Sequence, residues 1–315
     1  MARRYTTLVD RKYEDQPLDS ILRATPDAIQ GVSADDAEAL ARAFRISTVE
    51  GLARSVHFER ARALLAATGT LPAFDPGPPV GFAEVFAQAP LDAYLSHPTG
   101  RFRTRFGPVF YRGRLDGTAR ALVLGQDPSS DEILVQRNFV GFSGQLLQGF
   151  LRKVGLRRSY TMFNTFLFSI NGQYDAEMRA ISSEPFVRDY RHLLLDELAA
   201  RSDLEVVLSV GRGAREALEQ WPGRGRYPWV HLTHPAADEQ QVADSWNDAL
   251  PQVLAQLTPD EGVEPDPTPY GVPLGDAVRE RIPRGDLPFG VPDWHGTGNT
   301  RSQREGDDTI VWRAG

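Results

Sequence analysis

The chain has 315 residues, 41% of them apolar, and a formal net charge of −7, so it is long enough for a catalytic-sized domain with additional segments. It has no cysteine, which excludes disulfides, iron–sulfur clusters and zinc sites with thiolate ligands. No stretch approaches the ~18 consecutive apolar residues of a membrane span, and the initial MARRYTTLVDRKYEDQ lacks the apolar core of a secretory signal. We therefore expect a cytoplasmic protein with no membrane partner.

Residues 1–75 are predicted to form a helical accessory domain. Ser33 begins SADDAEALARAF, which has acids in its first turn and apolar residues spaced by three and four, and TVEGLARSVHFERARALLAAT repeats the pattern. The unit IQGVSADDAEALARAFRISTVEGLA resembles a helix-hairpin-helix repeat, a small element that binds the DNA backbone. Only GVS stands where the glycine-rich hairpin of that repeat belongs. A plain helical spacer is therefore the preferred interpretation, with the repeat as the alternative.

Residues 76–258 are predicted to form an α/β domain, joined to the first by the Pro/Gly-rich LPAFDPGPPVGF (71–82). Apolar strand candidates alternate with helical segments along it. The strands are ALVLG, YTMFNTF, LEVVLSV and WVHLTH, and the helices begin near Gly144, Glu184, Arg212 and Ala243. The alternation predicts a three-layer sandwich with a mostly parallel central sheet.

Polar residues follow the predicted strands, at the edge where such sheets bind ligands. They are Gln126-Asp127, Asn164, Gly211-Arg212 and His234. Their convergence on one rim predicts a site. Residues 101–120 contain six arginines against one aspartate, and four more basic residues lie within 152–158. These basic patches are compatible with a polyanionic partner.

Residues 259–315 are predicted to be a Pro/Gly-rich acidic tail. They contain eight prolines, eleven acidic and six basic side chains. Such segments are usually solvated or lie along the surface, and that is the expectation here. The final TIVWRAG is a candidate edge strand.

Three blocks in order, GQDPSSDEILVQRNFVGFSGQLL, YTMFNTF and LTHPAAD, resemble the uracil-DNA glycosylase superfamily. The FVG-x-x-GQLL ending is similar to the four-cluster branch of that superfamily, whereas GQDP is similar to the ordinary cytosolic uracil-DNA glycosylases. The HP dipeptide matches the second signature of the superfamily. The resemblance covers about residues 85–258. It implies the sheet of that superfamily and an enzyme that flips a base out of DNA and excises it.

The resemblance implies roles for two residues in bond cleavage. Breaking the N-glycosidic bond develops positive charge on the sugar and negative charge on the departing base. Asp127 matches the carboxylate that stabilises the sugar cation and orients the attacking water. His234 matches the donor at base O2, which stabilises the leaving anion. The alternative for His234 is a satisfied polar group at a strand end.

Further matches concern recognition of the base and of the DNA backbone. Asn164 matches the amide that pairs with the base edge, with a buried structural amide as the alternative. Phe139 matches the ring that stacks on the extruded base, with a core aromatic as the alternative. Gln126 and Ser129 line the predicted base pocket, and Arg212 and Ser143 are assigned to the DNA backbone.

The sequence departs from the family pattern at three places. The four-cluster branch has cysteines around an iron–sulfur cluster, and this chain has none. Ser129 stands where ordinary uracil enzymes have a tyrosine that blocks substituents at C5 of the base. Ala236 and Ala237 stand where an apolar wedge fills the vacated base stack.

These features together predict a monofunctional DNA glycosylase that uses water and no metal, iron–sulfur cluster or other cofactor. Its substrate is uracil or a C5-enlarged pyrimidine, including the hypermodified bases of some phage DNA, and its role is repair or phage defence. The two lysines, Lys12 and Lys153, lie outside the motifs, which disfavours a Schiff-base lyase step. DNA is the expected partner and a monomer the expected state. The alternatives are a catalytically silent nucleic-acid-binding protein and a nucleotide- or nucleoside-processing hydrolase on a similar sheet.

Overall fold

The structure is a computed structural model that describes residues 9–58, 74–274, 278–289 and 291. The chain divides into two compact units, Met1–Leu71 and Pro72–Gly315. The described helices of the first unit are α1 (Leu18–Arg23), α2 (Ala34–Phe44) and α3 (Val49–Ala53).

The start of α2 bears on the helix-hairpin-helix alternative. Ser33 caps the helix: its hydroxyl accepts from the backbone N–H of Asp36 at 3.1 Å, and Asp36 accepts from the backbone N–H of Ser33 at 3.0 Å. Asp35 and Asp36 place two carboxylates in the first turn. These negative charges occupy the end of the helix that a DNA phosphate would approach, so they disfavour phosphate binding there. A spacer role remains the preferred interpretation.

The second unit contains a five-stranded sheet with helices before, between and after its strands. Its strands are β1 (Arg112–Gly113), β2 (Ala121–Gly125), β3 (Tyr160–Asn164), β4 (Val206–Val210) and β5 (Trp229–Leu232). Its described helices are α4 (Val80–Ala87), α5 (Leu91–Ser96), α6 (Ser130–Val135), α7 (Phe142–Lys153), α8 (Ala176–Ser182), α9 (Pro185–Arg201), α10 (Arg212–Glu219) and α11 (Glu239–Leu254).

The sheet has the order β1-β3-β2-β4-β5, in which β1 is antiparallel to β3 and the remaining pairs are parallel. Successive residues of β2 enter different cores: Leu122 and Leu124 pack with α4, α9 and α10, whereas Ala121 and Val123 pack with α7 and α11. The sheet is thus covered on both faces, which confirms the predicted three-layer sandwich. β3 pairs with one side of β2 and β4 with the other, so the strand order reverses at β2. In parallel sheets, ligands bind in the crevice that forms at the carboxyl edge where the strand order reverses.

The strands and helices that the sequence predicted for residues 76–258 are present in the structure with different ends, whereas α4, α5, α6 and α8 were not predicted. In the first unit, the predicted helical stretch TVEGLARSVHFERARALLAAT is interrupted after Ala53. Two helices begin earlier than the sequence indicated, α7 at Phe142 and α11 at Glu239. In α11, the carboxylate of Asp238 accepts from the backbone N–H groups of Gln240 and Gln241, at 3.1 and 3.2 Å, and so caps the helix before its apolar pattern begins. The two-residue β1 was not predicted. The candidate strand TIVWRAG lies outside the described residues.

The described part of the tail differs from a solvated segment, because several of its residues are buried in the second unit. Asp260 accepts from the backbone N–H groups of Arg157 and Arg158 at 2.7 and 2.8 Å, just before β3. Tyr270 packs in the core beneath α11. Asp286 is 1% exposed. The tail therefore lies against the rest of the second unit at these positions, and the expectation of a solvated segment is wrong there.

Candidate active site

A pocket of about 440 Å³ opens at the carboxyl edge of the sheet. Its walls come from the segments that follow β2, β4 and β5, from the last residue of β3 and from the start of α7. All eight residues that the sequence predicted for a site line this one pocket: Gln126, Asp127, Ser129, Phe139, Ser143, Asn164, Arg212 and His234. The sheet thus brings together side chains that are separated by more than 100 positions along the chain.

Asp127 is partly buried, and both of its carboxylate oxygens have a donor. The backbone N–H of Ile170 donates to Oδ2 at 2.9 Å, and Nε2 of Gln126 donates to Oδ1 at 2.9 Å. Burial raises the pKa of Asp127 to about 6, although these two hydrogen bonds and the charge of Arg103 act to lower it. The group is therefore mostly ionised at neutral pH, yet less well solvated than an ordinary carboxylate.

Asn164 and Phe139 meet at Gly125, the last residue of β2. Gly125 lies opposite Asn164 in the sheet register. A Cβ atom on Gly125 would lie 2.3 Å from Oδ1 of Asn164 and 2.4 Å from Cζ of Phe139. Both side chains are buried, with exposed fractions of 5% and 6%. The absence of a side chain at Gly125 therefore lets the amide and the ring share the floor of the pocket.

The amide of Asn164 is oriented by a neighbour that the sequence did not identify. Nδ2 of Asn164 donates to Oδ1 of Asn138 at 3.0 Å. The fully buried Asn138 is itself fixed, because its Nδ2 donates to the carbonyls of Phe110 and Met162 at 3.2 and 3.4 Å. An asparagine in a loop carries no sequence signal for this role, since its burial depends on the tertiary fold.

Glu132 is a second residue that the sequence analysis missed. Its buried carboxylate accepts from the backbone N–H of Ser129 and from that of Phe139. Burial raises the pKa of Glu132 to about 7; the two N–H donors lower it and the nearby charge of Asp127 raises it. The signal was present: Glu132 stands three residues after Ser129, the spacing of a helix capping box. Glu132 thus links Ser129, at the start of α6, to Phe139, whose ring lines the pocket.

His234 lies on the pocket wall after β5. Its Nδ1 accepts from the backbone N–H of Ala236 at 3.1 Å. A ring nitrogen that accepts a hydrogen bond carries no proton, so the neutral ring carries its proton on Nε2. The ring packs beside Gly211, where a Cβ atom would lie 3.2 Å from Cβ of His234. The imidazole is thus held as a donor through Nε2.

Two helices begin at the pocket with glycine as the N-cap residue. The cap of α7 is Gly141 and that of α10 is Gly211, and neither helix has a side-chain cap. Ser143 and Arg212 lie in their first turns. The first N–H groups of a helix lack intrahelical partners and favour anions, so this rim suits phosphate groups.

The segment after β5 offers Ala236 and Ala237 to the pocket, as the sequence predicted, and no large apolar side chain. The loop after β3 also contributes a residue, the exposed Gln173, which was not predicted. Arg101 clamps this loop: its guanidinium donates to the carbonyls of Asn171 and Gln173, at 3.0 and 2.6 Å, and to the carboxylate of Asp175 at 2.6 Å.

The described residues contain neither a candidate metal site nor a candidate membrane span. No group of three or more His, Cys, Asp or Glu side chains in the described part of the chain is arranged to hold a metal ion. No helix among the same residues has the length and apolar character needed to cross a membrane.

The model of the family described as the uracil DNA glycosylase superfamily matches residues 112–255. This stretch contains all five strands and all eight predicted pocket residues. The search of curated proteins gave no match.

Proposed function

Because residues 112–255 are a domain of the uracil-DNA glycosylase superfamily, we propose that the protein is a monofunctional DNA glycosylase, which flips a pyrimidine out of DNA and hydrolyses its N-glycosidic bond. The observation that carries the proposal is the arrangement around Asp127. A partly buried carboxylate with fixed donors lies in the same pocket as a histidine and an asparagine amide. The product is an abasic site.

Asp127 acts on the sugar side of the bond. Its negative charge stabilises the positive charge that develops on the sugar, and one oxygen orients the attacking water. The donors from Ile170 and Gln126 fix the carboxylate before the reaction begins, so little reorganisation is needed in the transition state. Partial burial strengthens the interaction, because water does not screen the charge fully.

His234 acts on the departing base. A neutral imidazole with its proton on Nε2 donates a hydrogen bond to O2 of the base, where negative charge accumulates as the bond breaks. The hydrogen bond from the backbone N–H of Ala236 to Nδ1 selects this tautomer. The interaction strengthens with the developing charge, so it lowers the barrier more than it improves binding of the ground state.

Asn164 and Phe139 recognise the flipped base. Asn138 uses one N–H of the Asn164 amide, and the other N–H and the carbonyl oxygen form a donor–acceptor pair for a base edge. Phe139 supplies a ring against which the base stacks. Gln126 contributes to the same wall while holding Asp127.

The substrate is a pyrimidine that carries a group larger than hydrogen at C5, in addition to uracil. Ser129 is exposed and lines the pocket where a tyrosine would restrict it. Asp131 lines the same side. Hypermodified phage bases belong to this class, which favours a defence role over routine repair. The protein acts in the cytoplasm as a monomer, with Arg212, Ser143 and the two helix starts on the DNA backbone.

The proposal is tested with matched duplexes that differ only in the target base: uracil, thymine, whose C5 group is a methyl, and several pyrimidines with larger C5 groups. Cleavage of the strand by hot alkali after incubation with the protein reports an abasic site. We expect cleavage for uracil and for at least one larger base, and cleavage slower by about 10²–10³ with Asp127→Asn. DNA binding without cleavage of any substrate would instead indicate a catalytically silent binding protein. Release of base from free nucleosides alone would indicate a nucleoside hydrolase.

A further inference from the structure

The C-terminal strap, residues 278–289, lies beyond the residues that match the family and runs against α7. The backbone N–H of Glu280 donates to the carbonyl of Gln145 at 3.1 Å. A Cβ atom on Gly149 would lie 1.8 Å from the carbonyl oxygen of Val278. The strap is therefore in direct backbone contact with a helix whose first turn lines the pocket.

Two apolar residues of the strap pack at both ends of the loop 136–140, which carries the pocket ring. Ile282 and Leu287, with exposed fractions of 6% and 2%, form one cluster with Val135 and Val140. Val135 is the last residue of α6, and Val140 directly follows Phe139. Apolar contact at both ends restricts how far the loop can move.

The loop needs such support, because two of its residues have left-handed backbone conformations. The φ angles are 59° at Gln136 and 54° at Phe139. Residues with side chains seldom adopt this region, and they remain there only where the surroundings hold them. The carboxylate of Glu132 accepts a hydrogen bond from the backbone N–H of Phe139. The strap packs against Val140, the residue that follows Phe139.

Asp286 anchors the strap to the sheet. Its buried carboxylate accepts from the guanidinium of Arg114 in a close hydrogen bond and from the hydroxyl of Tyr160 at 2.6 Å. The guanidinium of Arg112, which is fully buried, lies 3.7 Å away. Removal of one partner from such a buried group of charges strongly destabilises a protein, because a buried charge is left unpaired. The strap is thus fixed to β1 and β3.

A second connection runs through Asp75. Its backbone N–H donates to the carbonyl of Leu287 at 2.7 Å, and its carboxylate accepts from Nε of Arg137 at 2.7 Å. Arg137 belongs to the loop, and its guanidinium lies 4.8 Å from the ring centre of Tyr111. The strap therefore reaches the loop by polar as well as apolar contacts.

We propose that residues 282–287 are a positioning element of the base pocket. They hold the loop 136–140 so that the ring of Phe139 rests against Gly125 and the amide of Asn138 fixes Asn164. The claim that the strap holds the loop rests on the contacts above, and the claim that this affects excision rests on the proposed function.

The test compares Leu287→Ala with Phe289→Ala in the full-length chain. Phe289 is 81% exposed and serves as the matched control within the strap. Hydrogen exchange of the peptide that spans residues 136–144 reports loop opening without any reaction. We expect exchange about tenfold faster in Leu287→Ala, because the cavity weakens the support of the loop, and unchanged exchange in Phe289→Ala. Unchanged exchange in Leu287→Ala overturns the proposal.

Single-turnover excision supplies the functional readout. We expect Leu287→Ala to slow excision about tenfold in the wild-type background and less than about twofold in the Phe139→Ala background. Two substitutions that act through the same side chain are not additive, and Phe139→Ala has already removed the ring that the strap positions. Equal slowing in both backgrounds would mean a general loss of stability and would refute positioning through Phe139. If Leu287→Ala does not fold, Ile282→Val gives the same comparison at about threefold amplitude. If the wild-type protein excises no base, the proposed function is wrong. The hydrogen-exchange result still shows whether the strap supports the loop 136–140.

Discussion

The pH dependence of excision follows from the environment of Asp127. Its carboxylate acts only when ionised, and burial raises its pKa to about 6. At pH 5 about a tenth of the protein then carries the charge, so the rate of the chemical step should be about tenfold below its plateau at pH 8. An ordinary aspartate, with a pKa of 3.8, would give a flat profile over this range.

Single-turnover excision with saturating enzyme, measured from pH 4.5 to 8.5, isolates the chemical step. Gln126→Leu removes a hydrogen bond that favours the ionised form, so its acid limb should move to higher pH. Asp127→Asn should lose about 10²–10³ in rate, the usual effect of removing one electrostatic contact in the transition state, and should lose the inflection as well. A flat wild-type profile between pH 5 and 8, or an inflection that survives in Asp127→Asn, would refute the reasoning.

The same pKa has a consequence for stability that needs no substrate. Because the pKa in the folded protein lies above the ordinary aspartate value of 3.8, protonation of Asp127 favours folding. This contribution is complete below about pH 4 and is lost as the pH rises through about 6, and it amounts to roughly 3 kcal/mol. The difference in unfolding free energy between wild type and Asp127→Asn should therefore fall from pH 4 to pH 8. A constant difference would show that the pKa is not raised.

Three further outcomes are expected. His234→Ala should slow single-turnover excision by about 10²-fold while changing the Kd for DNA little, and an effect on affinity alone would exclude the proposed donor role. Ser129→Tyr should abolish excision of a C5-enlarged pyrimidine and spare uracil, because a packed pocket wall yields only at a cost; unchanged cleavage of the larger base on matched duplexes would contradict this. A chain that begins at Leu71, the end of the first unit, should retain some excision at low salt, where phosphate attraction is strongest; a folded but inactive chain would show that the first unit is needed for the chemistry.

The sequence was sufficient for the sheet because buried parallel strands are nearly continuous apolar runs, as in Ala121–Gly125. The two-residue β1 is too short to show any periodicity. The polar residues at the strand ends could be placed on one rim from the predicted parallel topology alone, because the carboxyl ends of parallel strands lie at the same edge of a sheet. Phe139 is different: it lies in a loop with a left-handed backbone, and only the resemblance to a family singled it out.

The parts that sequence analysis missed depend on contacts between distant residues. Asp286 lies in a Pro-rich acidic segment, a composition that predicts solvation, yet it pairs with Arg114, which lies 172 positions earlier. Asn138 and Glu132 are polar residues whose burial arises only when the loop 136–140 folds against the sheet. Local pattern indicates neither partner nor burial for Asn138, and for Glu132 the capping-box spacing indicates only the contact with Ser129.

The glycines behind the pocket limit how its specificity can evolve. A methyl group on Gly125 would meet Phe139 and Asn164, one on Gly213 would lie 2.8 Å from Oε1 of Gln126, and one on Gly144 would lie 1.8 Å from the carbonyl oxygen of Phe139. The backbone at Gly144 is therefore closed to even the smallest substitution by a carbonyl group and that at Gly125 by two buried side chains, whereas a methyl group on Gly213 would displace the side chain of Gln126. New substrates become accessible through exchange of the side chains at the mouth, such as Ser129, and natural variation in this lineage should concentrate there while the frame stays constant.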